Sequence, residues 1–237
     1  MWDGINEIIN NRRNKRQPDK TITVKDTNGN LSTSSETPNT FNNFFTTIAG
    51  HIRSKIRESD NIFTDYLQDP NKERFNFNPC TPEEISKMIS SLKLSKGSGP
   101  NSIPTWLIKN LNDLFSHPLA YLFNLSLIQG TFPNILKIGK VIPVFKKGER
   151  SDCNNYRPIS LLSNIGKLLE KVVHNQLYGF LEKENSIYEL QFGFRIKTST
   201  NHALVSIVDK IQTILDKSLL SCGVFVDLQK AFDTVDH

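Results

Sequence analysis

The sequence predicts an α+β fold that is rich in helices, with an open α/β arrangement as the alternative. Apolar residues recur mainly at spacings of three and four, and only a few short runs have the character of strands. The apolar fraction of 37% and the charged fraction of 22% are those of a globular protein. A length of 237 residues allows one large domain or two small ones, and we place a boundary at residue 80.

The region 1–80 contains one predicted strand and one predicted helix. Residues 21–25 alternate polar and apolar side chains, and Asn28-Gly29 is typical of a hairpin turn. The helix that follows has the apolar positions Phe41, Phe44, Phe45, Ile48, Ile52 and Ile56. Residues 59–79 show no clear period, and we expect them to form a linker.

The region 81–237 begins with a helix-start signal. Thr81 can cap a helix, Pro82 suits its first position, and Glu84 can complete a capping box. The apolar face of this helix consists of Ile85, Met88, Ile89 and Leu92. Pro104 begins a second helix, whose apolar positions are Trp106, Leu107, Leu111 and Leu114.

A third helix is predicted to begin at Pro118 and to end at Gly130. Two further helices are predicted later in the chain. The first runs from about Ser163 to Glu182, with the apolar positions Leu168, Leu169, Val172, Val173, Leu177 and Leu181. Ser199 or Thr200 caps the second, whose core positions are Ala203, Leu204, Ile207, Val208, Ile211 and Leu215.

Two hydrophobic runs predict strands in this region. In residues 141–145, Pro143 places the strand at a sheet edge or a bulge. Residues 222–228 form the most hydrophobic strand of the chain. These strands complete the predicted α+β pattern.

Charge and cysteine content limit the class of protein. A net charge of +5 favours a polyanionic partner. The three cysteines (Cys80, Cys153 and Cys222) lie far apart and give neither a disulfide framework nor zinc-site spacing. They fit a reducing compartment, and we expect a cytoplasmic and nuclear protein that is not secreted. Because the longest apolar stretch is too short to span a bilayer, no membrane association is expected.

Asp227 ends the hydrophobic strand and is the most informative residue. A carboxylate in this position is tolerated where a divalent cation neutralises it, and such carboxylates hold the ions of two-metal phosphoryl transfer. The alternative is an aspartate that caps the following helix. Phe232 follows a tight predicted turn, where its ring could stand beside a bound sugar or pack at a helix start. Asp233 and Asp236 are expected to be charges at a helix N-terminus.

Basic residues bracket the strand 141–145. They are Lys137, Lys140, Lys146, Lys147, Arg150 and Arg157. Lysine acts on phosphate as a point charge and arginine as a bidentate fork, so this cluster can grip a triphosphate. A solvated charged loop is the alternative, and composition does not decide between the two.

A short aromatic segment precedes the last helix and consists of Gln191, Phe192, Gly193, Phe194 and Arg195. The glycine allows close backbone approach, and Arg195 can contact a phosphate or stack on a base. The alternative is an aromatic anchor for a loop.

Four segments together resemble, in order, the reverse transcriptase of non-LTR (LINE-type, jockey-like) retrotransposons. They are 96–104 (KGSGPNSIP), 141–148 (VIPVFKKG) with 155–162 (NYRPISLL), 191–195 (QFGFR) with 199–203 (STNHA), and 226–233 (VDLQKAFD). The resemblance covers the region 81–237. The region 1–80 is similar to the segment that joins the family's endonuclease to its polymerase, and we assign no functional residue there.

The resemblance implies a partial right-hand polymerase, with complete fingers, the start of a palm and therefore a truncated sheet. It implies that the Asp227 side chain and the Leu228 carbonyl bind Mg²⁺ (or Mn²⁺), and that Phe232 forms a gate for the sugar. The residues implied to bind the dNTP phosphates are Arg157 and either Lys146 or Lys147. The residues implied to support the template and the fingers are Gln191, Gly193, Phe194 and Arg195.

The implied function is an RNA-directed DNA polymerase that takes an RNA template, a DNA primer and dNTPs. The sequence has no Tyr/Phe-x-Asp-Asp hairpin, endonuclease or thumb, so we expect this fragment to be inactive alone. We also expect the strand 222–228 to be an apolar edge prone to self-association. The alternative function is a non-catalytic nucleic-acid-binding relic. A phosphatase with Asp227 as nucleophile is a weaker hypothesis, because that chemistry requires an acid where Gln229 stands.

Overall fold

The computed structural model describes residues 23–25, 29–56, 73–94, 99–100, 103–228 and 230–231. Within them the helices are α1 (Thr37–Arg53), α2 (Pro82–Ser90), α3 (Thr105–Asn110), α4 (Asn112–Gln129), α5 (Asn164–Lys183) and α6 (Thr200–Asp216). The strands β1 (Lys140–Phe145) and β2 (Tyr156–Leu161) pair in a two-stranded sheet, and short 3₁₀ helices cover Asn134–Lys137 and Cys153–Asn155. The described chain is therefore helix-rich with a small sheet, which agrees with the predicted class. None of its helices is long and apolar enough to cross a membrane.

The described residues fall into two compact units. Unit 1 contains residues 23–56 and Val141–Ser160, and unit 2 contains residues 73–140 and Leu161–Ala231. Residues 23–56 therefore share a unit with most of β1 and β2.

Unit 1 packs around a small aromatic core. Its buried residues are Val24, Phe41, Cys153 and Tyr156, with Phe44, Phe45 and Phe145 partly buried against them. The predicted hairpin is present as an antiparallel bridge between Lys25 and Leu31, with Gly29 at φ +84° in the turn. The predicted helix is confirmed as α1, which buries Phe41 and ends before Ile56.

Unit 2 contains a larger core, which α2, α3, α4 and α5 build. Its buried residues are Cys80, Ile85, Ile89, Ile108, Leu119, Ala120, Phe123, Leu168, Leu169 and Val172. The predicted capping box of α2 is confirmed, because Glu84 N donates to Thr81 Oγ1 (3.3 Å) and Thr81 N donates to Glu84 Oε2 (2.9 Å). The predicted start of α5 near Ser163 is confirmed, and the structure adds that Ser163 caps the helix, since its Oγ accepts a hydrogen bond from Gly166 N at 2.9 Å.

Amide side chains attach the extended segment before α2 to the helices. Gln176 exchanges two hydrogen bonds with the backbone of Asn78 (2.8 and 2.9 Å), and Asn124 does the same with the backbone of Cys80 (2.7 and 2.9 Å). The predicted linker is therefore wrong for residues 73–79, which pack in unit 2. Its earlier residues lie outside the described ranges.

The start predicted for the helix before Gly130 is wrong. This helix, α4, begins at Asn112 and contains Pro118 in its interior. An interior proline removes its own N–H from the helical hydrogen-bond ladder and crowds the preceding turn, but its φ is compatible with a helix, and α4 continues through it. The predicted end is confirmed, because Gly130 takes the left-handed conformation at φ +61° and its N–H donates to Leu127 O.

The start of α3 after Pro104 is confirmed, but its predicted apolar face is wrong. Thr105 and Ile108 are the buried positions, whereas Trp106 is exposed. A helix of six residues is too short for periodicity to fix which side faces the core. Asn164 sets the orientation instead, because its side-chain amide donates to Thr105 Oγ1 at 3.1 Å.

The last helix, α6, begins at Thr200; of the two predicted caps Ser199 takes the N-cap position, without a side-chain capping hydrogen bond. The predicted core positions of α6 are not buried, because no residue of this helix, all of which is described, is buried. Residues 222–228 are exposed and form no strand within the described ranges, so that strand prediction is wrong. A strand requires a hydrogen-bonded neighbour, and the described residues supply none there.

Candidate active site

The two strands present a basic hairpin in unit 1. Lys146 and Lys147 follow β1, and Arg157 is the second residue of β2. Lys146 N donates to Asn155 O at 2.8 Å, which continues the pairing of the strands past the end of β1. This bond places Lys146 opposite Asn155, which is two residues before Arg157. The predicted phosphate-binding residues therefore lie on one hairpin.

The loop of this hairpin is tightly bonded. Gly148 has φ +94°, and a Cβ atom there would meet the Asn155 side chain at 2.7 Å. Asn155 Nδ2 donates to Glu149 O at 2.9 Å, and Ser151 Oγ donates to Glu149 Oε1 at 2.7 Å. The hydrogen bond from Ser151 lowers the pKa of Glu149, with a further contribution from Lys25. The glycine and the amide thus fix the path of the chain between the cations.

The cations of the hairpin are open to a ligand. Lys146, Lys147 and Arg157 are exposed, and none forms an ion pair with a carboxylate of the described residues. Arg150 differs from them, because its guanidinium carbon lies 4.8 Å from the ring centroid of Phe145. Within the described residues, three cations without a carboxylate partner therefore lie beside an aromatic core.

Asp227 and Leu228 lie in an irregular, exposed segment of unit 2. The Asp227 carboxylate and the Leu228 carbonyl are oxygen donors, the class that Mg²⁺ prefers. However, no group of three or more His, Cys, Asp or Glu side chains that could hold a metal occurs in the part of the chain that the structure describes. Asp227 and Leu228 therefore supply ligands of the right kind but not a complete metal site. Phe232 lies outside the described residues.

The aromatic segment 191–195 forms a turn that is anchored to α5. Arg195 pairs with Glu182 through two contacts, Nε to Oε1 at 2.9 Å and Nη2 to Oε2 at 3.3 Å. Tyr178 donates its hydroxyl hydrogen to Glu182 Oε1 at 2.7 Å and accepts a hydrogen bond from Ile196 N at 3.0 Å. The hydrogen bond from Arg195 is the largest cause that lowers the pKa of Glu182, and the same pair raises the pKa of Arg195.

The turn directs one aromatic ring outward. Phe194 has φ +60° and is 92% exposed, while Gln191 Nε2 donates to Gly193 O at 3.4 Å. Thr198 Oγ1 donates to Phe192 O at 2.7 Å and closes the turn from the other side. Sequence reasoning identified this segment but not its anchors, Tyr178 and Glu182, since they lie one helix earlier in the chain.

Comparison with known proteins identifies the family. Residues 144–237 match the family described as reverse transcriptase (RNA-dependent DNA polymerase). Over 174 residues the chain is 32% identical to the RNA-directed DNA polymerase from mobile element jockey of Drosophila melanogaster, covering 73% of this chain and 19% of that protein. It is 30% identical over 225 residues to the probable RNA-directed DNA polymerase from transposon BS of Drosophila melanogaster, covering 94% of this chain and 25% of that protein.

The matched region and the relatives place the protein in the reverse transcriptase class. The chain belongs to this family, and the relatives it matches are RNA-directed DNA polymerases of the non-LTR, LINE-type mobile elements. It spans between 19% and 25% of the length of the jockey and BS proteins.

Proposed function

We propose that the chain provides the nucleotide-binding fingers and the first palm carboxylate of an RNA-directed DNA polymerase. In this reaction the primer 3′-hydroxyl attacks the α-phosphate of a dNTP paired to an RNA template, and pyrophosphate leaves. The observation that carries the proposal is the hairpin, with its exposed cations at the start of the matched region.

Phosphate binding follows from the charges of that hairpin. A dNTP triphosphate presents several anionic oxygens, which a lysine ammonium attracts and an arginine guanidinium grips in two places. Lys146, Lys147 and Arg157 have this chemistry, and the bonded loop between them holds their backbone in place. They would neutralise the triphosphate and align its α-phosphate with the primer.

We assign Asp227 and Leu228 as ligands of Mg²⁺ (or Mn²⁺) in the complete polymerase. When bound, such ions activate the attacking hydroxyl and stabilise the leaving pyrophosphate. The donor types of the two residues support the assignment, and further carboxylates are required to complete the site. We also assign Phe232 as the gate that excludes a 2′-hydroxyl, on the strength of its position in the 226–233 motif.

We propose that the turn at residues 191–195 contacts the RNA template. The exposed ring of Phe194 can stack on a base, which needs no particular sequence. Gln191 and Gly193 shape the turn beside it, and Arg195 holds the turn to Glu182. In this assignment Arg195 acts on the template mainly through the position of Phe194.

Primer extension tests the proposed function. The chain would be fused to the part of the jockey polymerase that follows the aligned region, and extension of a DNA primer on an RNA template would be measured. We expect extension by the fusion and its loss in the Asp227→Ala variant, whereas Asp209→Asn on α6 serves as an acidic control. Equal extension by the Asp227→Ala fusion would refute the assignment of this residue.

A non-catalytic nucleic-acid-binding role is the second candidate. The exposed Phe194 and the basic hairpin favour it, because both can bind RNA without any chemistry. Filter binding of single-stranded RNA by the 237-residue chain measures this role, and we expect retention that falls steeply as salt rises. Retention together with an inactive fusion would select the second candidate over the first.

A further inference from the structure

Lys25 is bonded to the loop of the basic hairpin within unit 1. Lys25 N donates to Ser151 O at 2.8 Å, and Lys25 Nζ lies 3.6 Å from Glu149 Oε1. The bridge between Lys25 and Leu31 connects this contact to the turn at Gly29. A segment outside the matched residues 144–237 therefore supports the loop that carries the cations.

A continuous series of aromatic contacts joins α1 to the same hairpin. The Phe41 ring lies 4.8 Å from Tyr156 at 69°, and the Tyr156 ring lies 5.4 Å from Phe145 at 63°. Both ring pairs are edge-to-face, and such pairs add to the stabilisation that burial of the rings supplies. Arg150 covers the outer face of Phe145. Phe41 and Tyr156 are 5% and 4% exposed, so this stack is a built core rather than a surface contact.

The hydroxyl of Tyr156 adds a directional bond to the stack. It donates to Arg150 O at 2.7 Å, across the loop. Burial is the largest cause that raises the pKa of Tyr156, so this hydroxyl remains a protonated donor at neutral pH. The ring thereby ties the start of β2 to the middle of the loop.

The buried ring of Tyr156 and the partly buried ring of Phe145 are the chain neighbours of the cations. Phe145 directly precedes Lys146, and Tyr156 directly precedes Arg157. Successive side chains of a strand point to opposite faces, so a ring held in the core turns its neighbour toward solvent. Fixing the two rings against each other therefore fixes the spacing of the cations on the outer face.

We infer that α1 positions the triphosphate-binding cations, with Phe41 and Tyr156 as positioning residues that act through Lys146 and Arg157. This inference rests on the proposed function and extends it to a region in which the sequence indicated no functional residue. Loosening the stack lowers the affinity for a triphosphate while the chain remains folded.

The test is a calorimetric titration of the 237-residue chain with inorganic tripolyphosphate at low salt. Phe41→Leu removes one ring of the stack, and Tyr156→Phe removes only the bond to Arg150. Phe75→Leu is the matched control, because Phe75 packs edge-to-face on Phe77 in unit 2. Circular dichroism sets a temperature at which every variant is folded. We expect Phe41→Leu to weaken binding by about 2-fold to 10-fold, the range that one aromatic pair supplies.

The outcomes distinguish the phosphate-binding role of the cations from the positioning role of Phe41 and Tyr156. A triple variant with alanine at Lys146, Lys147 and Arg157 must lose most of the tripolyphosphate binding; unchanged binding would overturn the phosphate site and the inference together. If the triple variant loses binding but Phe41→Leu and Tyr156→Phe bind as the parent chain does, the positioning role alone is refuted. An equal loss in Phe75→Leu also refutes it. If Phe41→Leu fails to fold, Phe45→Leu decides the role of α1, since Phe45 stacks on Phe41 at 5.7 Å, and unchanged binding in that variant refutes it.

Discussion

Gly148 shows how one residue shapes the basic hairpin. Its φ of +94° lies where residues with a Cβ atom are strained, and a Cβ atom would also collide with Asn155. Because Asn155 bonds both sides of the loop, a shift there would separate Lys147 from Arg157. The glycine in this motif is thus required by geometry.

Replacement of Gly148 by alanine is expected to destabilise the chain by about 1–3 kcal/mol, since the strain and the collision add. Denaturant unfolding measures the change. Gly179→Ala is the matched control, because Gly179 lies inside α5 with open space around it, and alanine there should stabilise by about 0.5–1 kcal/mol. Equal stability of the two variants would contradict the account of the loop.

The pair Arg195–Glu182 makes the turn at residues 191–195 sensitive to acid. The folded pKa of Glu182 lies below its unfolded value of about 4.3, so the stabilisation is complete above that value and is lost as pH falls through the folded pKa. We expect the amide resonance of Ile196, which donates to Tyr178, to shift in that acid range. Glu182→Gln should remove the titration, and Glu189→Gln should leave it unchanged. A titration that persists in Glu182→Gln would refute the assignment.

At the scale of elements, the capping box of α2 is the clearest local device. Thr81 and Glu84 satisfy each other's backbone N–H groups, so Thr81→Ala should cost about 1 kcal/mol of unfolding free energy. Ser199 occupies the same position in α6 without a side-chain capping bond, and Ser199→Ala should cost less. Thermal unfolding of both variants measures the difference, and an equal or reversed order would contradict the capping argument.

Local signals predicted the elements well, because caps and periodicity act over a few residues. Thr81, Ser163 and Gly130 marked helix ends that the structure confirms. Burial was harder to predict, as Ile108 and the exposed face of α6 show, because it depends on partners that are distant in sequence.

In the candidate site, too, local features were predicted from the sequence and contacts between distant residues were not. Lys146, Lys147 and Arg157 were visible from charge and motif, and the structure brings them to one hairpin. The contact of Phe41 with Tyr156 was not visible, since more than a hundred residues separate them and no pattern links the two positions.

At the scale of the whole molecule, the segment before Asp227 carries exposed apolar side chains. Val224, Phe225 and Val226 are 84%, 87% and 78% exposed. Because an exposed apolar segment whose backbone has no strand partner among the described residues favours pairing with another chain, we propose self-association through residues 222–228.

Sedimentation velocity of the 237-residue chain tests this proposal. We expect concentration-dependent association that the double variant Val224→Lys, Val226→Lys reduces, because like charges oppose pairing of two copies. The double variant Leu204→Lys, Val208→Lys, on the exposed face of α6, is the control for a general gain of charge. Association that responds only to the α6 variant would locate the contact on that helix instead.

The central claim about the chemistry of the site is the metal-binding role of Asp227. Electron paramagnetic resonance of Mn²⁺ bound to the polymerase fusion measures it without requiring turnover. A ligand role for Asp227 predicts that Asp227→Asn weakens Mn²⁺ binding by at least about tenfold, because the ion loses a charged ligand, while Asp209→Asn leaves the binding unchanged. Equal Mn²⁺ affinity in Asp227→Asn and the parent fusion would contradict it.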